Sequence, residues 1–413
     1  MNAHAKTGVP ALLWRRQGVI IVCLPEVGSE DSKIPPHTLM SIVKDNPVKS
    51  LPFTKQLGFR KVLYERVDTY LKANNLPARD VPEMYLKTAI IAAWWLGAYL
   101  LILLGGFPPL VNLLLCMFFG FAVAGAGFNI MHDAIHGGYS NKAWVNKIMG
   151  FALELLGSSS FIWRQKHNVW HHTYTNVSGL DEDLETNGLM RFTPHDPWRP
   201  MFRFQHIYLP FVYSLTGFSF IIRDFRVFFT GKSDDHHMYP KFKLPDVIQF
   251  WVGKGLFFSL YFLIPMTVFP WWQVLIGFVV MIATVGITLA FIFQLAHVMD
   301  GADYPEPTVD PLKIENEWAA HQIQTTVDFA PGNKVLNWYA GGLNFQVEHH
   351  LFPHICHVRY PVIAPIVQKT CEEFGIKYLA YPSWKDAVRS HFHMVRELGQ
   401  SPRTQPALAA SGK

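Results

Sequence analysis

The segment Gln346-Val347-Glu348-His349-His350 carries a dense set of metal-capable donors. On a helix, Gln346, His349 and His350 fall at i, i+3 and i+4 and share one face. Two further segments look like its partners. His132-x-x-x-His136 places two imidazoles one helical turn apart, and His167-x-x-x-His171-His172 offers i, i+4 and i+5. Imidazole is a good ligand for iron, zinc, copper and nickel. His297 follows a long apolar run and has Gln294 before it. It reads either as a further ligand or as a satisfied interfacial residue, since a lone histidine beside a membrane span is costly and usually faces something functional. Together these make eight histidines and one glutamine, too many for one ion, so two metals sharing them is the economical expectation. His321 reads either as a ligand or outer-layer group or as an ordinary residue. Asp133 and Asn344 adjoin ligand positions and either orient imidazoles through their second nitrogen or are ordinary polar loop residues. The acidic run Asp181-Glu182-Asp183 reads as a solvated loop. His195, His206, His236, His237, His391 and His393 read as surface residues.

The elements that would carry these groups are apolar. The chain has 413 residues, of which 50% are hydrophobic, 15% aromatic and 16% charged. That balance excludes an ordinary soluble protein and points to a membrane class. From Thr88 to Met131, and again from Gly255 to Met299, there is no Asp, Glu, Lys or Arg. A span needs about 20 apolar residues, so each run holds two. Gly105-Gly106-Phe107-Pro108-Pro109 is the turn of the first hairpin, and Pro270 beside Trp271 and Trp272 that of the second. The expected spans are 88–104, 107–130, 250–269 and 272–297.

The hairpin turns lack Lys and Arg, whereas the flanks carry Arg60, Lys61, Arg66, Lys72, Lys142, Lys147, Arg164 and Lys166. The positive-inside rule then places both termini and the long segments in the cytosol. Phe204–Ile222 is also uncharged, but a fifth crossing would put the histidine segments on opposite sides of the membrane. Pro210 and Gly217 weaken it further as a span, so it reads as an interfacial or buried segment. Residues 59–72 form an apolar helical stripe that lies either on the membrane surface or against the cytosolic domain. Residues 361–395 read as a small α/β tail. The net charge of +5 fits positive-inside loops better than nucleic-acid binding. Cys23, Cys116, Cys356 and Cys371 form no CxxC pair, which suits a reducing compartment.

The three histidine segments resemble the histidine boxes of the membrane fatty-acid desaturases, over roughly residues 55–380. Gln346, standing where many members have His, is similar to the front-end branch, which desaturates between an existing double bond and the carboxyl end. Bacterial linoleoyl-CoA desaturase-like members look closest. The resemblance implies an all-α membrane protein of four transmembrane helices in two hairpins, with a cytosolic helical cap holding a non-haem di-iron site. It divides the chain into a poorly ordered arm (1–58), a membrane domain (59–380) and a C-terminal tail (381–413). It implies His132, His136, His167, His171, His172, His297, Gln346, His349 and His350 as ligands of two irons. Molecular oxygen would be co-substrate, and two hydrogens would leave neighbouring methylenes of a fatty acyl group carried as acyl-CoA or acyl-lipid. Methylenes have neither an acidic proton nor a leaving group, so the cofactor carries the hard step. The protein's part would be a narrow apolar tunnel, aided by Trp163 and Trp170.

Many eukaryotic front-end members carry a fused cytochrome with a His-Pro-Gly-Gly motif. No such motif stands in this sequence, and the only histidines before the first box are His4 and His37. Electrons are therefore expected from ferredoxin or a free b5-type cytochrome with its reductase. On the same scaffold the alternatives are a Δ9- or ω-type desaturase or an acyl hydroxylase, distinguished by product. A zinc-dependent membrane hydrolase or receptor would need neither oxygen nor reductant and lacks a HExxH-like motif here. A membrane metal carrier would want polar groups through its nearly apolar spans.

Overall fold

A computed structural model describes residues 51–234, 237–309 and 312–401. His4, His37, Cys23 and His236, most of the arm at 1–58 and residues 402–413 lie outside the described residues. The chain is mostly helical. Four helices among the described residues are long and apolar enough to cross a membrane: Pro82–Leu104, Pro109–Ile135, Leu244–Thr267 and Trp271–Gln294. With Phe59–Ala73 as α1, the first two of these are α2 and α3. The expected bounds shift because Pro82 starts α2 six residues before the charge-free run and because α3 continues through the first histidine box. The outward faces of the long helices keep Leu86, Leu96, Leu104, Leu110, Leu114, Ile248 and Trp271 exposed. Apolar surface on this scale is stable in lipid, not in water.

The uncharged segment at 204–222 breaks into α4 (Gln205–Ser214, with Pro210 inside) and α5 (Thr216–Thr230). At 10 and 15 residues, neither is long enough to span. With α6 as Leu244–Thr267 and α7 as Trp271–Gln294, both α4 and α5 lie against α7. A β-carbon at Gly286 of α7 would stand 2.7 Å from the carbonyl oxygens of Tyr213 and Ser214, so the absence of a side chain sets the approach. A buried ion pair, Lys254 Nζ to Asp224 Oδ2 at 2.7 Å, ties α6 to α5.

A helical cap closes one end. It includes α8 (Trp318–Gln324), α9 (Gln346–Leu351) and α10 (Tyr360–Phe374). Of the two readings for α1, the structure adopts packing on the cap. Phe59, Leu63, Val67 and Leu71 are buried against Ile323, Val347, Leu351, Ile363 and Val367. The segment expected as an α/β tail is two helices joined by residues 375–383, which include one short strand. Ala380–Tyr381 pairs in parallel with Asp328–Phe329 and leads into α11 (Trp384–Leu398). Met394, Val395 and Leu398 of α11 are buried with Leu209 and Tyr213 of α4. His391 is buried as well, contrary to the surface reading. It bonds Tyr213 Oη at 2.7 Å and the carbonyl of Val298 at 2.8 Å. His237 is likewise buried, 2.8 Å from Asp234. His393 is exposed.

Candidate metal centre

The first two histidine segments lie where a regular helix is disturbed. At the end of α3 the residues Gly127–Met131 form a π-helical turn immediately before His132. The second segment is almost wholly π-helical, Arg164–His171. In an α-helix the i+5 position turns well away from i. The i→i+5 bonding of a π stretch brings it back, so His167, His171 and His172 all point one way. Box three sits on α9, entered through Gly341 and Gly342 with φ of 61° and 70°. A β-carbon at Gly341 would overlap the carbonyl of Phe128, so the loop lies directly on the α3 backbone. His297 stands in the turns just past α7.

These elements converge. His132, His136, His167 and His349 bring their donor nitrogens within 4.8 Å of one another, and so do His171, His297 and His350. His172 joins His349 and His350 in a third such set. His132 Nε2 is 3.2 Å from His167 Nε2, which is 3.3 Å from His172 Nε2. Gln346 Nε2 lies 3.1 Å from His297 Nε2 and 3.4 Å from His350 Nε2. All nine residues except the half-buried His136 are buried.

The outer nitrogens are held by groups that the sequence reading missed. His171 Nδ1 lies 3.0 Å from both carboxylate oxygens of Asp181. Asp183 takes His167 Nδ1 at 3.3 Å and also pairs with Lys166. His350 Nδ1 donates to Gln322 Oε1 at 2.7 Å, and His349 Nδ1 lies 3.3 Å from the Tyr360 hydroxyl. The acidic run is thus not a solvated loop: Asp181 and Glu182 are buried, Asp181 completely. The signal available in the sequence was a carboxylate pair two residues apart, close behind box two in a chain poor in charge. Asn176, at φ 60°, clamps the same region. Its Nδ2 donates to the carbonyls of His297, Asp303 and Thr325 at 3.1 to 3.2 Å.

Two expected orienting residues do other work. Asp133 accepts from His357, at 2.9 Å from Nδ1 and 3.1 Å from the backbone N–H, tying α3 to the segment after box three. Asn344 donates to the carbonyl of Ala330 at 3.4 Å. Neither bonds a box imidazole in the described residues. His321 is buried with its ring edge-on to Phe53 at 5.3 Å, and stands outside the three histidine sets. Trp163 lies against His167 at 5.1 Å, but Trp170 packs on His237 and Tyr239, away from the cleft.

Burial, and then the neighbouring imidazoles, hold His136, His167, His172, His349 and His350 well below the usual histidine range. Burial and His171 hold His297 down to about 3. The rings are therefore neutral near pH 7, the form that ligates metal. The donor set also fits a metal by its unsatisfied atoms. His136 Nε2, His171 Nε2, His349 Nε2 and Gln346 Oε1 are buried with no partner among the described residues. Buried polar atoms without partners are rare and expensive, and for His171 and His349 the free Nε2 follows from the Nδ1 spent on Asp181 and Tyr360.

A cleft of about 1510 Å³ opens beside the centre, and His171 and His297 are in its lining. A smaller apolar cavity of about 470 Å³ shares Trp163, Phe220 and Phe293 with it.

A buried polyhistidine site that could hold metal, carried on helices long and apolar enough to cross a membrane, is the pattern of a membrane metalloenzyme. The fatty acid desaturase family matches residues 107–382. The chain is 40% identical over 354 residues to sn-1 linoleoyl-lipid 6-desaturase of Arthrospira platensis, covering 86% of this chain and 96% of the relative. It is 39% identical to the protein of the same name from a Synechocystis strain, covering 85% and 98%. It is 37% identical to Acyl-lipid (8-3)-desaturase of Physcomitrium patens, covering 83% and 72%. The chain belongs to the fatty acid desaturase family, and it is an integral membrane oxidoreductase that desaturates fatty acyl groups.

Proposed function

We propose that the protein is a front-end acyl-lipid desaturase with a di-iron centre, inserting a cis double bond between an existing one and the carboxyl end of a linoleoyl-type chain. The supporting observation is the convergence of the three boxes and His297 into overlapping sets of buried imidazoles beside a mainly apolar cleft. The relatives whose names specify linoleoyl-lipid 6-desaturation support the regiochemistry.

His132, His136, His167 and His349 would hold one iron. His171, His297 and His350 would hold the other, with His172 between them and Gln346 beside the second. Bound iron supplies oxygen activation, the chemistry that takes one hydrogen from each of two adjacent methylenes. The chain's own residues do the rest. Asp181 and Gln322 fix which nitrogen of His171 and His350 faces inward. A half-turn of the Gln346 amide presents its oxygen where its nitrogen now stands. Trp163 and Phe293 keep water from the cleft wall. The four long helices pair as two hairpins, and the basic flanks put the cap and both termini in the cytosol. Electrons come from a separate carrier, ferredoxin or a free b5-type cytochrome with its reductase.

The test is expression in a host lacking polyunsaturated fatty acids, fed linoleate, with new double bonds located by mass spectrometry. A new bond on the carboxyl side of the existing ones, absent from His349→Ala, is expected. A bond introduced at Δ9 of saturated chains would overturn the regiochemistry. Zinc in the purified protein, no new product and no response to reductant would overturn the oxidative reading.

A further inference from the structure

The cleft beside the metal centre is lined by apolar and charged groups, and one of its cations, Arg223, lacks a full set of partners among the described residues. Arg223, on α5, has a side chain 13% exposed, and its Nε and Nη2 are buried with no partner among the described residues. Its nearest carboxylate, Glu182, stands 4.0 Å from Nη1 and is engaged at its other oxygen by the Tyr239 hydroxyl at 2.5 Å. A guanidinium presents donors in a fixed fork suited to carbonyl and anionic oxygens. Leaving such donors dry and unpaired costs more than a typical hydrogen bond returns.

The position of Arg223 gives these donors a use. It lines the same cleft as His171 and His297. Its guanidinium lies 4.9 Å from the Phe220 ring, Phe220 is 5.6 Å from Trp163, and Trp163 is 5.1 Å from His167. A polar anchor and the metal centre are thus fixed to each other through packed rings, and Phe220 and Trp163 are also walls of the small apolar cavity.

On the desaturase reading above, we propose that Arg223 binds the carbonyl oxygen at the carboxyl end of the acyl substrate and so fixes which methylenes reach the metal centre. A reaction counted from the carboxyl end needs a fixed point at that end. Apolar walls alone let a chain slide, because successive methylenes are alike. The chemistry recognised is an ester or thioester carbonyl, and the carrier is left to the experiment.

The purified full-length protein, loaded with iron and supplied with an electron donor, is assayed on linoleoyl phosphatidylcholine, linoleoyl-CoA and an ether-linked analogue of the phospholipid that lacks the carbonyl. For the wild type, one bond position is expected on the carbonyl substrates, and the lower KM of the two names the carrier. On the ether lipid, KM should rise at least about tenfold, the worth of one charge-assisted hydrogen bond, and the product should spread over neighbouring positions. Arg223→Gln should behave on the ester as the wild type does on the ether, with unchanged iron content. Arg223→Lys should keep the bond position at an intermediate KM. A single unchanged position and an unchanged KM, either for the ether lipid or for Arg223→Gln, overturns the anchor and leaves the desaturase reading standing. No double bond from the wild type on any substrate overturns both. If Arg223→Gln fails to fold, the ether lipid and Arg223→Lys decide.

Discussion

At Asp181 a completely buried carboxylate is stabilised from several sides. Burial pushes its pKa up, but His171 and the hydrogen bonds it accepts, including that from the Asn176 backbone, hold it below the usual carboxylate range. Both oxygens face His171 Nδ1, so the imidazole is locked in the tautomer that leaves Nε2 for metal. Asp181→Asn keeps the shape but puts an amide where a charge stood. It should lower iron occupancy or activity by about 10- to 100-fold, the usual cost of losing an outer partner of a ligand. Metal analysis and product yield on the purified variant check this, with circular dichroism to show an unchanged fold. The ligands were legible in the sequence because their spacing is local: His132 and His136, or His349 and His350, announce themselves within one turn. Asp181, Gln322 and Tyr360 were not, since each meets its histidine only after the chain has folded, and an acidic run reads the same buried or solvated.

At the level of elements, periodicity revealed the apolar stripe of α1 but not what would cover it. A stripe records only that something apolar lies opposite, and lipid and α10 satisfy it equally. The π-helical turns were equally hidden, because no residue preference marks a stretch that pays for its weaker bonding by re-aiming side chains. The charge-free runs, by contrast, pointed to four long helices, although charged residues at the helix starts placed Pro82 and Leu244 ahead of the runs. Lys254 lies just outside the second run, and its burial in α6 would be costly without Asp224 on α5. Lys254→Met alone strands a buried carboxylate and should cost about 3–5 kcal/mol of stability. Replacing the pair together, Asp224→Leu with Lys254→Met, should recover most of that loss. Thermal unfolding of the four proteins in one detergent would measure the coupling. Simple addition of the two single effects would show that the ions are not a unit.

For the whole molecule, the centre concentrates imidazoles from four distant parts of the chain, and their protonation acts on the fold collectively. His136, His167, His172, His349 and His350 are held well below 6.5 and His297 at about 3, mainly by burial. Between about 6.5 and those folded values the unfolded chain binds more protons than the native one. The stabilising contribution is therefore complete above about 6.5 and is lost as pH falls. Thermal unfolding of the metal-free protein should drop steeply from about pH 6.5 downward, and bound iron should move that fall to lower pH, because protons and metal compete for the same nitrogens. A flat profile across that window would show that the rings are not buried in solution.

The converging histidines run from His132 to His350, and the set that contains His171 draws on His297 and His350 as well as on box two. A ribosome making this chain must therefore pass both apolar pairs of helices into the bilayer before the last donors exist. Up to that moment the first boxes wait as loose chelators in a cell that holds other metals. On the proposed function, the site can take its metals only after the third box has been made. A chain stopped short of the third box would lack His349 and His350, and with them part of each of the three histidine sets.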